Sequence, residues 1–344
     1  MKTDHIRLPD ALCASPYYLL LLNKAFKRSA FEFNTVLRRI YVPRGMTDGD
    51  RGFAMASEAA RLGCLIEEVD DILEENDPFV FYFGDRRLNL RLPAGLCDWH
   101  AHTQFAYCGR GIALQDAADF SLALGTEVQG FAEHDFALYF DRAPLKFGWQ
   151  SDPDYVKSIW DTPERGRMTA YKALVARARK RYGSCVKFGM EVDLFDHGRL
   201  CVAPEDIDGW DYLIGAVHEI QGIDPHTISD AELEKVWLSE VDRLLEYPIR
   251  ILAHPFRYFP WYKRIIPRHL YRPIAKRLAQ TGIAAEINHH ANPFEDEFFF
   301  CCLEEGAKIS LGTDAHITRD IADFLPHLRT LEHLGVGPDV LWRL

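Results

Sequence analysis

Leu96–Thr103 reads LCDWHAHT: an apolar entry, then two histidines two positions apart. Strand side chains alternate between faces, so His100 and His102 share a face, as two ligands of one ion must. Reading onward from this stretch, the same design recurs. Short apolar or β-branched runs, each closing on polar side chains, are LCDWHAH, VQGFAEH, VKFGMEVD, WDYLIGAVH, IRILAH, IAAEIN and AKISLGTDAH. Helical patterns lie between them. Alternating strands and helices predict repeated β-α units around a largely parallel sheet.

The intervening segments carry helix signatures of their own. Between Arg165 and Tyr182, the residues Met168, Tyr171, Leu174, Val175 and Ala178 fall at spacings of three and four, which makes that face core rather than a cofactor box. Ser229-Asp-Ala-Glu232 has the form of a capping box. Asn292-Pro293 places a cap before a proline that the first turn tolerates, and Gly306 should stop the helix that follows.

Residues 1–94 have a different rhythm: a helix around Tyr17–Phe26, a second over Phe53–Glu75, and a hairpin, FVFYF-GD-RRLNLRL, turning at Gly84-Asp85. With His5 as its one histidine, this region reads as a structural or oligomerisation appendage to a domain spanning 95–344. Self-association into a homo-oligomer fits that reading.

The whole chain of 344 residues, 48% of them hydrophobic, can bury a full core, and it reads as a soluble globular protein. A net charge of −11 supplies no general field for nucleic acid, which is excluded as the main partner. Eight scattered cysteines form no C-x-x-C pair, so reduced thiols in the cytoplasm are expected. The most apolar N-terminal run, Tyr17–Leu22, is too short to cross a bilayer, and no membrane partner is expected.

The ends of the seven runs decide the chemistry. They carry His100 and His102; Glu133 and His134; Glu191 and Asp193; His218; His254; Glu286 and Asn288; Asp314 and His316. In β/α barrels the C-terminal strand ends converge on one mouth. A lone strand-end histidine is ordinarily a hydrogen-bonded core residue, but Glu191 inside an apolar run would cost several kcal/mol to bury without a cation or donor. Acids and imidazoles arriving together call for shared cations. Mixed nitrogen and oxygen donors suit zinc, manganese or iron better than calcium or magnesium, and there are too many donors for one ion.

The ordered series His100-x-His102-Thr103, Glu133-His134, Gly189-Met-Glu191, Gly215-Ala-Val-His218, Ala253-His254-Pro255 and Thr313-Asp-Ala-His316 resembles the PHP (polymerase and histidinol phosphatase) family, closest to its histidinol-phosphatase-like branch. The resemblance spans residues 96 to about 325. It implies a distorted (β/α)7 barrel and a phosphoesterase that uses two or three divalent ions (zinc, manganese or iron) on a small phosphorylated substrate. By this resemblance His100, His102, Glu191 and Asp314 would hold one ion. Glu191, His218 and His254 would hold a second, and His134 with His316 a third. His134 or His316 would then be the proton donor to the leaving alkoxide, and Asp193 could orient a ligand histidine.

The chain departs from the family pattern in three places. Cys108 stands where members commonly carry a further histidine; as a thiolate it would be a ligand, as a thiol it would leave the third position weak. Cys201 stands at another variable family histidine and reads as a small residue. The segment after Glu286-Ile-Asn288 lacks the family's phosphate-gripping arginine, which leaves Arg257 and Arg110 as candidates for that grip. A phosphodiesterase or other hydrolase on the same ions, and a catalytically silent scaffold or sensor, remain alternatives at this level.

Overall fold

The computed structural model describes residues 5–7, 20–21, 23–25, 27–28, 39–61, 63–70, 79–83, 86–106, 108, 112–139, 166–195, 198–290 and 295–344. The chain divides into two compact units, Met1–Pro93 and Ala94–Leu344. None of the described helices is long and apolar enough to cross a membrane.

The first unit holds a five-stranded mixed sheet, ordered β3-β2-β1-β4-β5, from strands β1 (His5–Arg7), β2 (Arg39–Pro43), β3 (Leu65–Val69), β4 (Val80–Phe83) and β5 (Arg86–Asn89). The expected hairpin is β4 and β5, whose pairing of Phe83 with Arg86 leaves two residues for the turn; Gly84 and Asp85 themselves lie outside the described residues. Helical backbone occurs among residues 20–28, whereas Tyr17 is not among the described residues.

The second expected helix is shorter than its pattern. Helix α1 covers Gly49–Arg61, and Leu65–Val69 pairs in parallel with β2 instead of continuing it. Gly63 takes a left-handed φ of 71°, which ends the helical path, and the apolar residues beyond it are consumed by sheet pairing.

The second unit is an α/β barrel. Its strands are β6 (Cys97–Asp98), β7 (Val128–His134), β8 (Val186–Val192), β11 (Tyr212–Gly215), β12 (Ile251–Leu252), β13 (Ala284–Asn288) and β14 (Ile309–Gly312), with a small antiparallel pair, β9 (Leu194–Phe195) and β10 (Arg199–Leu200), following β8. The seven run in the order β14-β13-β12-β11-β8-β7-β6, every neighbouring pair parallel. The first and last strands then meet. Trp99 N–H donates to the Leu311 carbonyl (2.9 Å), Asp314 N–H to that of His100 (2.6 Å) and His102 N–H to that of Ala315 (3.1 Å). All seven strands expected from the sequence are present, and the (β/α)7 barrel that the resemblance implies is the fold.

The surrounding helices include α2 (Leu114–Leu124), α3 (Gly166–Tyr182), α4 (Asp230–Leu244), α5 (Tyr258–Trp261), α6 (Tyr271–Thr281), α7 (Asp296–Glu305) and α8 (Leu325–Leu334). On α3 the buried residues are Met168, Tyr171, Leu174, Val175 and Ala178, the face its spacing predicts. Ser229 caps α4 by accepting from Glu232 N–H, and α7 ends at Gly306 in the left-handed region. Asn292 and Pro293 lie outside the described residues, and the described helix starts at Asp296.

Below the mouth, Trp99, Tyr212, Ile214 and Ile251 pack with Ala132, Ala216, Ala253 and Ala284. Register places Ile214 beside Glu191 and Tyr212 beside Gly189, so this apolar layer shares the sheet face that carries Glu191. Gly189 is needed for it: a Cβ there would lie 2.7 Å from the Tyr212 carbonyl oxygen and 2.9 Å from its ring. Each large side chain buried here contributes about 1.5–3 kcal/mol, which makes a stiff floor for the polar groups above.

Candidate metal centre

The strand ends deliver their polar side chains to one place. His100 and His102 extend beyond β6, and both Nε2 atoms face the same two carboxylates. His100 Nε2 is 3.4 Å from Glu191 Oε2 and 3.7 Å from Asp314 Oδ1; His102 Nε2 is 3.8 Å and 3.0 Å from the same atoms. Donors about 2.1 Å from a tetrahedral ion stand about 3.4 Å apart, and these four nitrogen-to-oxygen distances bracket that value. His100 and Glu191 are both completely buried, yet His100 Nε2 and Glu191 Oε2 make no hydrogen bond among the described residues. A cation between them would satisfy both, and the residues present therefore fit a metal ion.

Glu191 faces histidines with each oxygen. Its Oε1 is 2.9 Å from His254 Nε2 and 3.5 Å from His218 Nε2, while Oε2 also approaches His134 Nδ1 at 2.7 Å. Three groups of donor atoms gather within 4.8 Å of one another: His100, His102 and Asp314; His134, Glu191 and His218; His102, His134 and His316. Cys108 is exposed, and its sulfur lies 3.4 Å from His134 Nε2.

Behind this layer stands a row of carboxylates. Glu286 Oε1 meets His100 Nδ1 at 2.8 Å, Glu133 Oε1 meets His102 Nδ1 at 3.1 Å, and Asp193 Oδ2 meets His218 Nδ1 at 2.9 Å. A carboxylate accepts, so each Nδ1 carries a proton and each Nε2 is aimed at the cluster, where an ion can take the place of any proton it holds. The acids are themselves tied down. Glu133 Oε2 accepts from Thr103 N–H (3.0 Å) and Oγ1–H (2.6 Å), and Glu286 Oε2 accepts from His254 N–H (2.7 Å). Asp98 joins the two strand ends, accepting from His100 N–H (3.2 Å), Thr313 N–H (3.1 Å) and Thr313 Oγ1–H (2.6 Å). Burial, partly offset by those Thr313 bonds, raises its carboxyl to about 6.

This arrangement sorts the imidazoles into two electrostatic classes. Burial works against protonation of His100, but Glu286, Glu191 and Asp314 hold it well above the ordinary value. His102 is likewise lifted against burial to about 9 by Asp314 and Glu133, and His218 is raised against burial by Asp193 and Glu191. His134, His254 and His316 go the other way. Burial lowers all three, helped by His102 for His134, by the Arg257 cation for His254, and by His102 for His316, which falls to about 2. Glu191 and Asp314 are held well below the carboxylate range although burial opposes it; His100 is the leading positive neighbour of each. Ionised acids and the proton-poor nitrogens of His134, His254 and His316 are ready for divalent ions, whereas His100, His102 and His218 must release a proton to bind one.

The backbone is bent to achieve this. His254 (φ 29°), Phe256 (φ 68°) and Asp314 (φ 50°) occupy the left-handed region without being glycine, at about 1–3 kcal/mol each. Two of the three are candidate ligands.

The structure thus brings together His100, His102, His134, Glu191, His218, His254, Asp314 and His316, with Cys108 beside His134. Arg257 also reaches the centre, with both terminal nitrogens on Asp314 Oδ2 (3.0 and 2.8 Å). Arg110 lies outside the described residues. Cys201 is buried and sits next to Val202 in the apolar interior. What the motif reading lacked were the roles of Asp98, Glu133, Glu286 and Asn288. Their signal was present as polar residues two positions before the first histidine and at the ends of β7 and β13, but only the folded barrel sets Glu133 and Glu286 on imidazoles, Asp98 on Thr313 and Asn288 on Asp314.

No family model matches the chain, and no curated protein matches it. Among solved structures it is similar to hisK from Listeria monocytogenes, a candidate histidinol phosphatase, at 15% identity and a TM-score of 0.46, over 67% of this chain and 98% of that one.

Proposed function

We propose that the chain is a metal-dependent phosphoesterase of the PHP kind, hydrolysing a small phosphate monoester, with the histidinol-phosphatase-like branch as its counterpart. The observation that carries this is the double layer at the mouth: three imidazoles fixed through Nδ1 by Glu286, Glu133 and Asp193, their Nε2 atoms converging on Glu191 and Asp314. Scaffolding of this kind keeps the nitrogens oriented for zinc, manganese or iron and raises their basicity as ligands.

We assign His100, His102, Glu191 and Asp314 to one ion, Glu191, His218 and His254 to a second, and His134 with His316 to a third, with Cys108 beside it as a further donor. When bound, such ions supply Lewis acidity to the phosphoryl oxygens and acidify the attacking water. Glu191, facing histidines with both oxygens, ties the first two positions together. His316 donates its Nδ1–H to the Asp314 carbonyl (2.7 Å), so its Nε2 is a bare acceptor. At 12% side-chain exposure against 4% for His134, it is the more solvent-facing of the pair, and its ring stacks on His290 (4.6 Å). We therefore give His316 Nε2 to the third ion rather than to proton transfer: with its pKa lowered by burial to about 2 it carries no proton near neutral pH, which suits a ligand and not an acid or base. The unit Met1–Pro93 contains none of the candidate ligands, and we assign it a structural or assembly role.

Release of inorganic phosphate from a panel of monoesters, histidinol phosphate among them, tests this reading. Turnover that disappears on chelation and returns with zinc, manganese or iron is expected; an ion-loaded protein inert across the whole panel refutes it.

A further inference from the structure

The two oxygens of Asp314 stand in different surroundings. Oδ1 faces His102 Nε2 (3.0 Å) and His100 Nε2 (3.7 Å). Oδ2 accepts from Arg257 Nη1 (3.0 Å), Arg257 Nη2 (2.8 Å) and Asn288 Nδ2 (3.1 Å). With three donors on it, Oδ2 has no lone pair left for an ion.

We propose that Arg257, assisted by Asn288, is a positioning residue for Asp314: by occupying Oδ2 it makes Asp314 a one-oxygen ligand, offering Oδ1 alone to the ion shared with His100, His102 and Glu191. This rests on the metal-centre reading above. A carboxylate with both oxygens open can chelate one ion or bridge two. Capping one oxygen with a cation removes that freedom and offsets one of the negative charges around the ions.

The local chain path supports the assignment. Left-handed turns at His254 and Phe256 fold the segment back, and Arg257 N–H closes the turn on the His254 carbonyl (3.0 Å). The Arg257 side chain, 10% exposed, is thereby laid along the strand ends rather than toward solvent. An arginine that grips phosphate presents its two terminal nitrogens as an open fork to two oxygens. Here both prongs close on one oxygen of the protein. Asn288 Nδ2 also reaches Glu286 Oε2 (3.1 Å), and Glu286 holds His100 and His254. Arg257 is thus one end of a hydrogen-bonded chain that touches three candidate ligands.

The test separates an arginine that serves the ions from one that serves the anion. The full-length protein, stripped of metal, is titrated with zinc against a chromophoric chelator, and inorganic phosphate binding is then measured on the zinc-saturated protein. For Arg257→Gln the dissociation constant of one zinc should rise about 10–100-fold while another keeps its value, which also reports an intact fold. Phosphate should bind the saturated variant within about threefold of the unsubstituted protein, and Arg257→Lys, which keeps the cation with a single donor centre, should recover part of the zinc affinity. Unchanged zinc affinity with phosphate binding weakened tenfold or more overturns the proposal and makes Arg257 the phosphate grip. Should Arg257→Gln fail to fold, Arg257→Lys decides: a zinc constant unchanged within about twofold overturns it. An unsubstituted protein that takes up no zinc, manganese or iron refutes the metal-centre reading itself, a result distinct from a variant that binds zinc normally.

Discussion

Gly312→Ala is a one-carbon change that should dismantle the anchoring of His100. A Cβ at this position would lie 1.9 Å from Glu286 Oε1, 2.8 Å from Glu286 Cδ and 2.7 Å from His100 Cβ. Non-bonded carbon and oxygen need about 3.2 Å or more, so the carboxylate must retreat by more than about 1 Å. The bond from His100 Nδ1, now 2.8 Å, is then lost, and the bond from His254 N–H (2.7 Å), made by the other oxygen of the same group, is pulled with it. Buried hydrogen bonds to a charged group contribute about 1.5–3 kcal/mol each, so losing both should cost about 3–6 kcal/mol. That is a large share of the roughly 5–15 kcal/mol available to a folded domain. Backbone preference argues the opposite sign, because Gly312 lies in β14 and alanine in a strand should gain about 0.4–1 kcal/mol through the unfolded chain. Urea unfolding of the metal-free protein measures the sum, and chelator competition should show metal affinity falling about 10–100-fold. A Gly312→Ala protein as stable as the parent, with parental metal affinity, would refute the claim that Glu286 orients His100.

Other perturbations probe the same centre. Glu133→Gln keeps the shape and an acceptor for Thr103 but removes the charge at His102 Nδ1; metal affinity should drop about tenfold with little change in the unfolding midpoint, as calorimetry and urea titration would show. Stripping the ions should cost about 2.7 kcal/mol of stability relative to protein kept at a hundred times the dissociation constant, read as a lower thermal midpoint in chelator. In the ion-free protein His102 sits at about 9, above its unfolded value of about 6.5. Its contribution is therefore complete below about pH 6.5 and is lost as pH rises through about 9. The stability gap between the parent and His102→Gln should narrow over that interval; a gap that widens contradicts it. Metal uptake displaces the same proton, so affinity should climb from pH 6 to about 9 and then level. Cys108→Ser, at an exposed position, should leave stability within about 0.5 kcal/mol but make one ion per chain easier to remove, as metal analysis after brief chelation would reveal.

Much of the barrel was legible before folding was considered. Runs such as VQGFAEH and AKISLGTDAH announce buried strands with polar ends, and the Met168-to-Ala178 face of α3 is buried as its spacing requires. Local rules sufficed because alternation and helical periodicity are properties of a few consecutive peptide units. They failed where tertiary pairing intervened. The apolar pattern after Arg61 suits a helix as well as a strand, and the left-handed Gly63 together with the neighbouring β2 decided for the strand.

What the amino-acid order determined by itself was the supply: seven strand ends bearing acids and imidazoles, in a chain with too many of them to bury without cations. Only the tertiary structure decided the pairing. Closure of β6 against β14 brings Asp314 N–H to the His100 carbonyl across more than two hundred residues of chain and sets Glu286 on His100, while the β6–β7 pairing sets Glu133 on His102 and the turn after β12 lays Arg257 on Asp314. Backbone geometry fixes which way a side chain points within its own strand. Which oxygen meets which nitrogen depends on how distant segments pack, and the orientation of every candidate ligand follows from that packing.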